Sequence, residues 1–85
     1  MVDEWEPFLP EPDENGNYPA EEYMLVSIAR DIIRARRKLG LSQAELARLA
    51  GIRLETLNRV EQGEHSAIVA TVEKIDRALR QAEGE

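Results

Sequence analysis

Three glycines, Gly40, Gly51 and Gly63, cut the middle of this 85-residue chain into two pieces of ten and eleven residues. Within each piece the apolar residues recur at three- and four-residue intervals, the period of one helix face. A glycine just past such a piece supplies the left-handed residue that stops a helix. The centre of the chain is therefore expected to fold as two short helices separated by a sharp turn.

The flanking segments extend the pattern. From 20 to 38 the period is helical, with Leu25, Ile28, Ala29, Ile32, Ala35, Arg36 and Leu39 on one core-facing stripe. A second stripe, Tyr23, Val26, Arg30, Ile33 and Arg37, is only half polar. Two stripes on one helix imply two neighbours, the domain's own core and something else. Ser42 with Glu45 forms a capping box that opens the next helix, in which Leu46, Ala47, Leu49 and Ala50 are apolar. The third helix is expected at about 54–62, with Leu57, Val60 and the preceding Ile52 turned to the core. A loop Glu64-His65-Ser66 should follow, then a last helix carrying Ile68, Val72, Ile75 and Leu79 at helical spacing. No segment alternates with strand period, so residues 20–85 read as an all-α bundle of about four helices.

Residues 1–19 differ in kind. They hold all four prolines and the turn signal Glu14-Asn15-Gly16-Asn17, which leave no room for a helix of useful length before Pro19. The segment reads as an arm, extended or disordered when free. Trp5, Phe8, Leu9 and Tyr18 are spaced along it like anchors for a groove, although a plain acidic tail with incidental aromatics fits the composition too. The net charge of −6 is concentrated here: residues 1–24 carry eight acids and no base, whereas 25–63 carry eight bases against four acids. A mildly basic body with a detached acidic arm is compatible with nucleic acid. Whether the arm folds back on the chain's own basic helix is left open by the sequence.

Composition removes other classes. With no cysteine and a single His65, neither a disulfide nor a thiolate metal site is available, and no metal or cofactor is expected. The longest apolar runs, Met24-Leu25-Val26 and residues 67–70, are far short of the ~20 residues that span a bilayer. The N-terminus has neither the basic start nor the apolar stretch of a signal peptide, so a cytoplasmic protein is the expectation. No Ser/His/Asp constellation, phosphate-cradling glycine loop or metal cluster points to an enzyme.

Two short helices joined by a glycine-containing turn form the motif whose second helix lies in the DNA major groove. The fuller string runs Arg36, then Gly40-Leu41-Ser42-Gln43-Ala44-Glu45-Leu46-Ala47, then Ala50-Gly51-Ile52, then Thr56 to Gly63. Over roughly residues 25–80 this resembles the Xre or Cro-repressor-like helix-turn-helix family, whose fold is the lambda-repressor-like bundle. The resemblance implies that Gln43 contacts a phosphate at the start of the second helix, and that Arg36 pairs with Glu61. Spacing supports the pair separately, because Arg36 falls in the buried stripe of the first helix, where an unpaired charge is costly. The exposed positions of the third helix are then Leu54, Glu55, Asn58 and Arg59. Arg suits guanine, Asn adenine, Glu the cytosine amine and Leu a thymine methyl. Arg53 stands where that helix prefers a Ser, Thr or Asp cap, and sets positive charge against the helix dipole. Either it touches phosphate or it is a tolerated surface residue. Two recognition helices about 34 Å apart would read a palindromic operator, so a homodimer is expected. The family often adds a fifth helix for core or dimer contacts; residues 1–85 are not expected to supply one, and Tyr23, Val26 and Ile33 are the candidates to take over part of its contacts.

The segment from Glu14 to Tyr23, running into Ala29 to Arg34, is similar to HigA-type antitoxins, small helix-turn-helix proteins encoded beside a RelE/HigB-like RNase toxin. That resemblance implies a protein toxin as partner, autoregulation of the operon and neutralisation of the toxin, and the physics of the arm adds Trp5, Phe8, Leu9 and Tyr18 as its candidate buried contacts. RNA-binding toxins are expected to be basic, which complements an arm of this charge. A stand-alone Xre-type regulator and a protein-interaction adaptor that lost DNA binding are the competing expectations.

Overall fold

The computed structural model describes residues 5–17 and 19–84, and among these it has four helices and no strand. The helices are α1 (Ala20–Lys38), α2 (Gln43–Ala50), α3 (Leu54–Glu61) and α4 (His65–Gly84). Glu21 and Glu22 in the first turn of α1, and Arg36, Arg37 and Lys38 in its last, complement the helix dipole. Pro19 precedes the helix and its carbonyl accepts from the Tyr23 amide.

Packing follows the apolar stripes. Leu25 and Ile32 of α1, Leu46, Ala47 and Ala50 of α2, Leu57 and Val60 of α3, and Ala67, Ile68, Ile75 and Ala78 of α4 form one core. The long α4 touches all three other helices, while α1 packs on α3 and α4. Leu46, Leu57, Val60 and Ile75 are completely buried, and each stabilises the fold by about 1.5–3 kcal/mol relative to leaving it in water. Thr71 is the polar exception on α4, and its hydroxyl donates to the Ala67 carbonyl at 2.7 Å.

The loop expected at Glu64-His65-Ser66 is not one. Gly63, at φ +83°, completes the reversal by itself: its amide donates to the Val60 carbonyl and the Glu64 amide to that of Arg59. The Glu64 carbonyl then accepts from Ile68, so α4 begins at once, and the three polar residues are simply the wet side of its first turn.

Two residues assigned to a partner-facing stripe are also corrected. Val26 and Ile33 are buried within the chain, at 9 % and 1 % exposure. A side chain at Gly63 would meet Val26 at 3.4 Å, so the α3–α4 turn lies against Val26. Ile33 sits between Arg30 and Arg37 on the face of α1 that the arm crosses, as described below. The second neighbour of α1 is therefore the chain itself.

Candidate nucleic-acid interface

The helix pair is set by local chemistry at each end. The Ser42 hydroxyl accepts from the Glu45 amide at 3.1 Å, and the Glu45 carboxylate accepts from the Ser42 amide at 2.8 Å. These bonds hold the Glu45 carboxyl below its ordinary pKa, the Ser42 amide contributing most. At the other end Gly51 takes φ +72°, which lets its own amide reach the Arg48 carbonyl and that of Ile52 reach Ala47. The chain turns through three residues, and α3 starts at Leu54.

One carboxylate fixes α3 in place. Glu61 is 3 % exposed and accepts from Arg36 twice, Nε at 2.8 Å and the second guanidinium nitrogen at 3.2 Å. Arg36 also donates to the Leu41 carbonyl at 3.0 Å, and the Gln43 amide donates to Glu61 at 2.8 Å. One buried charge thus joins the end of α1, the start of α2 and the end of α3. Glu61 accepts three hydrogen bonds in all, and no buried polar side-chain atom is left unpartnered among the described residues.

The outer face of α3 is open to solvent. Leu54, Glu55, Asn58 and Arg59 are all exposed, while Leu57 and Val60 on its inner face are completely buried. Gln43, Arg53, Leu54, Glu55 and Asn58 line a single open concavity between the start of α2 and α3. Arg59 lies outside it, with Nε 4.0 Å from Glu64. Gln43 does two things there: one N–H of its amide nitrogen goes to Glu61, and the same nitrogen carries a second N–H for another acceptor. Among the described residues Arg53 makes no cap for α3 and has Glu55 as its ion-pair partner at 3.7 Å, an exposed pair worth little. Among the described residues no group of three or more His, Asp or Glu is placed to hold a metal ion, and no helix is long and apolar enough to cross a membrane.

The arm is not detached from the body. Glu6 meets three arginines of α1: Arg30 at 3.3 Å, Arg34 at 3.2 Å and Arg37 at 3.4 Å. Arg30 also donates to the Pro7 carbonyl at 3.0 Å and Arg37 to that of Trp5 at 2.7 Å. The bond and charge of Arg34, with the charges of Arg30 and Arg37, hold the Glu6 carboxyl below its usual pKa. Pro7 is buried beneath this clamp, while Trp5 and Phe8 on either side point outward at 59 % and 90 % exposure. Leu9 is half-buried, Tyr23 is exposed at the margin, and Tyr18 lies outside the described residues. Sequence reasoning named the aromatics and missed Glu6 and Pro7. The signal was present: Arg30, Arg34 and Arg37 recur at i, i+4, i+7 on a face whose intervening residue is Ile33.

A family model described as helix-turn-helix matches residues 32–83, from the second half of α1 to the end of α4. No curated protein and no solved structure matches the chain.

Proposed function

The chain belongs to the helix-turn-helix family and is a DNA-binding transcription regulator; from that premise we propose that α3 enters the major groove and reads base edges through Leu54, Glu55, Asn58 and Arg59. Gln43, with its remaining N–H at the start of α2, and Arg53 hold phosphates at the groove's edge. The observation that carries this reading is the shared concavity of Gln43, Arg53, Leu54, Glu55 and Asn58, held by the buried Arg36–Glu61–Gln43 junction. Side chains that read bases must be presented by a backbone that does not yield, and this junction supplies that rigidity. The chain acts as a homodimer on a palindromic operator, since one such helix spans too few base pairs to be selective. Selecting bound duplexes from a random pool gives the operator. Asn58→Ala should then cost about 1–3 kcal/mol on that sequence and relax the preference at one base pair. Equal binding of all duplexes by both chains would overturn the assignment.

A second activity rests on the arm. Phe8 and Trp5 hold large apolar rings in water while their neighbours Glu6 and Pro7 are engaged, an arrangement that suits capture by another protein. The partner that fits the arm's charge is basic, and an RNase toxin of the RelE/HigB kind, neutralised by this chain, has that chemistry. Co-expression with a basic neighbouring gene product tests it. Deleting residues 1–19 should abolish neutralisation and leave operator binding in place; a truncated chain that still neutralises would remove the arm from this role. A full chain that neutralises no such partner is instead a stand-alone Xre-type regulator or an adaptor.

A further inference from the structure

The Glu6 clamp has the stoichiometry of a covered anion site. Three guanidinium groups converge on one carboxylate, so among the described residues two positive charges remain in excess. Among the described residues no other carboxylate lies within ion-pair distance of Arg30, Arg34 or Arg37. Arginines at i, i+4 and i+7 on one helix repel each other, and such a row is unfavourable unless an anion sits on it. The Glu6 oxygens are taken from both sides: Oε1 by Arg30 and Arg34, Oε2 by Arg34 and Arg37. Two oxygens of one tetrahedral phosphate offer the same acceptors to the same planar forks.

The helix that bears the row is also joined, through its inner face, to the reading surface. Arg37 is followed back along α1 by Arg36, whose guanidinium binds the Glu61 carboxylate that Gln43 also binds. Gln43 in turn lines the concavity beside α3. We propose that Arg30, Arg34 and Arg37 form a second phosphodiester-binding site for nucleic acid, and that Glu6 occupies it in cis as a carboxylate stand-in for phosphate. This rests on the DNA-binding reading above and adds to it a backbone contact outside the helix-turn-helix. The arm then competes with DNA for α1, and anything that takes up Trp5 and Phe8 also uncovers three cations.

Salt titration of duplex binding tests this directly. Affinity of the full chain for a short mixed-sequence duplex is measured from about 50 to 200 mM salt, alongside Glu6→Gln and Glu11→Gln. Each arginine that gains a phosphate should steepen the log–log slope by about 0.9. Glu6→Gln should therefore steepen it by about two to three and tighten binding at the low-salt end by roughly tenfold or more. Glu11→Gln removes the same charge from an exposed arm position, and should leave the slope unchanged. Adding Arg30→Gln, Arg34→Gln and Arg37→Gln to the Glu6→Gln chain should erase the gain, with helical content by circular dichroism checking that the bundle is intact. A slope for Glu6→Gln equal to that of the parent, or matched by Glu11→Gln, overturns the proposal and leaves the clamp a structural latch. The Asn58→Ala comparison on the selected operator is independent: if it fails while Glu6→Gln steepens the slope, the cradle stands and the α3 reading falls.

Discussion

Helix α1 carries two arginine–carboxylate sites on different faces, and they are opposites. On the inner face one arginine holds one carboxylate, Arg36 with Glu61, with side chains only 14 % and 3 % exposed. On the outer face three arginines hold one carboxylate, and Arg34 stays 58 % exposed. The inner pair is charge-balanced, doubly hydrogen-bonded and joined to two other helices. Among the described residues the outer cluster has surplus charge, and it binds a segment without regular secondary structure. Identical functional groups thus do different work. Burial and balance make one a fixed joint, whereas exposure and imbalance make the other an exchangeable contact.

The largest test of that contrast is Glu61→Gln. The neutral amide keeps the shape but leaves the Arg36 guanidinium buried without a counter-charge, a loss of about 3–5 kcal/mol when one member of such a pair is removed. Small domains are stable by only about 5–15 kcal/mol, so the melting temperature should fall by tens of degrees or the chain should unfold outright. Glu6→Gln should cost under about 1 kcal/mol in the same denaturant titration, as partly exposed pairs do. Equal losses in the two variants would erase the distinction between joint and contact.

How much of this was legible in the sequence also divides along α1. The inner stripe predicts the core because apolar periodicity is a one-dimensional signal, and Arg36 within it demands a partner wherever the chain supplies one. The outer stripe is half polar, and its periodicity points to a second neighbour without naming it. Its true cover is Glu6 and Pro7, two residues with no periodicity of their own, reached from 23 to 31 positions away. Charge totals placed acid in the arm and base in the body, but a total carries no information about which carboxylate meets which arginine. The third helix was easier, because a surface is read by exclusion: Leu57 and Val60 go in, so Leu54, Glu55, Asn58 and Arg59 face out. The onset of α4 is hidden in the sequence because a polar first turn looks like a loop, whereas in the structure Gly63 completes the reversal alone.

Arg53 is a third kind of arginine and calibrates the other two. It has no buried partner, and it holds the capping position of α3 without capping it. Arg53→Ser supplies the missing acceptor and removes a charge that opposes the dipole, so the fold should gain roughly 0.5–2 kcal/mol. If Arg53 meets phosphate, the same substitution flattens the salt dependence of duplex binding by about one unit. Opposite signs on stability and binding would mark a residue kept for DNA; a gain in stability with an unchanged slope would mark a tolerated surface residue.

The smallest effect is on pH. Glu6 has its carboxyl held below the ordinary value of 4.5, chiefly by the hydrogen bond from Arg34, while the same group in a released arm titrates near that value. A lowered pKa in the docked state means that docking is favoured by the ionised form. Its contribution is complete above the released arm's pKa and disappears as pH falls through the lowered one. The chain should therefore keep its arm in place at neutral pH and shed it in acid, before the helices melt. Trp5 is the single tryptophan and its carbonyl accepts from Arg37, so its fluorescence reports the arm and nothing else. A shift in Trp5 emission below about pH 4.5, with helical circular dichroism unchanged, is the expected result; Glu6→Gln should show the released signal at every pH. Emission that moves only together with the helical signal would mean that the arm is part of the folded body, and that the outer cluster is as much a joint as the inner one.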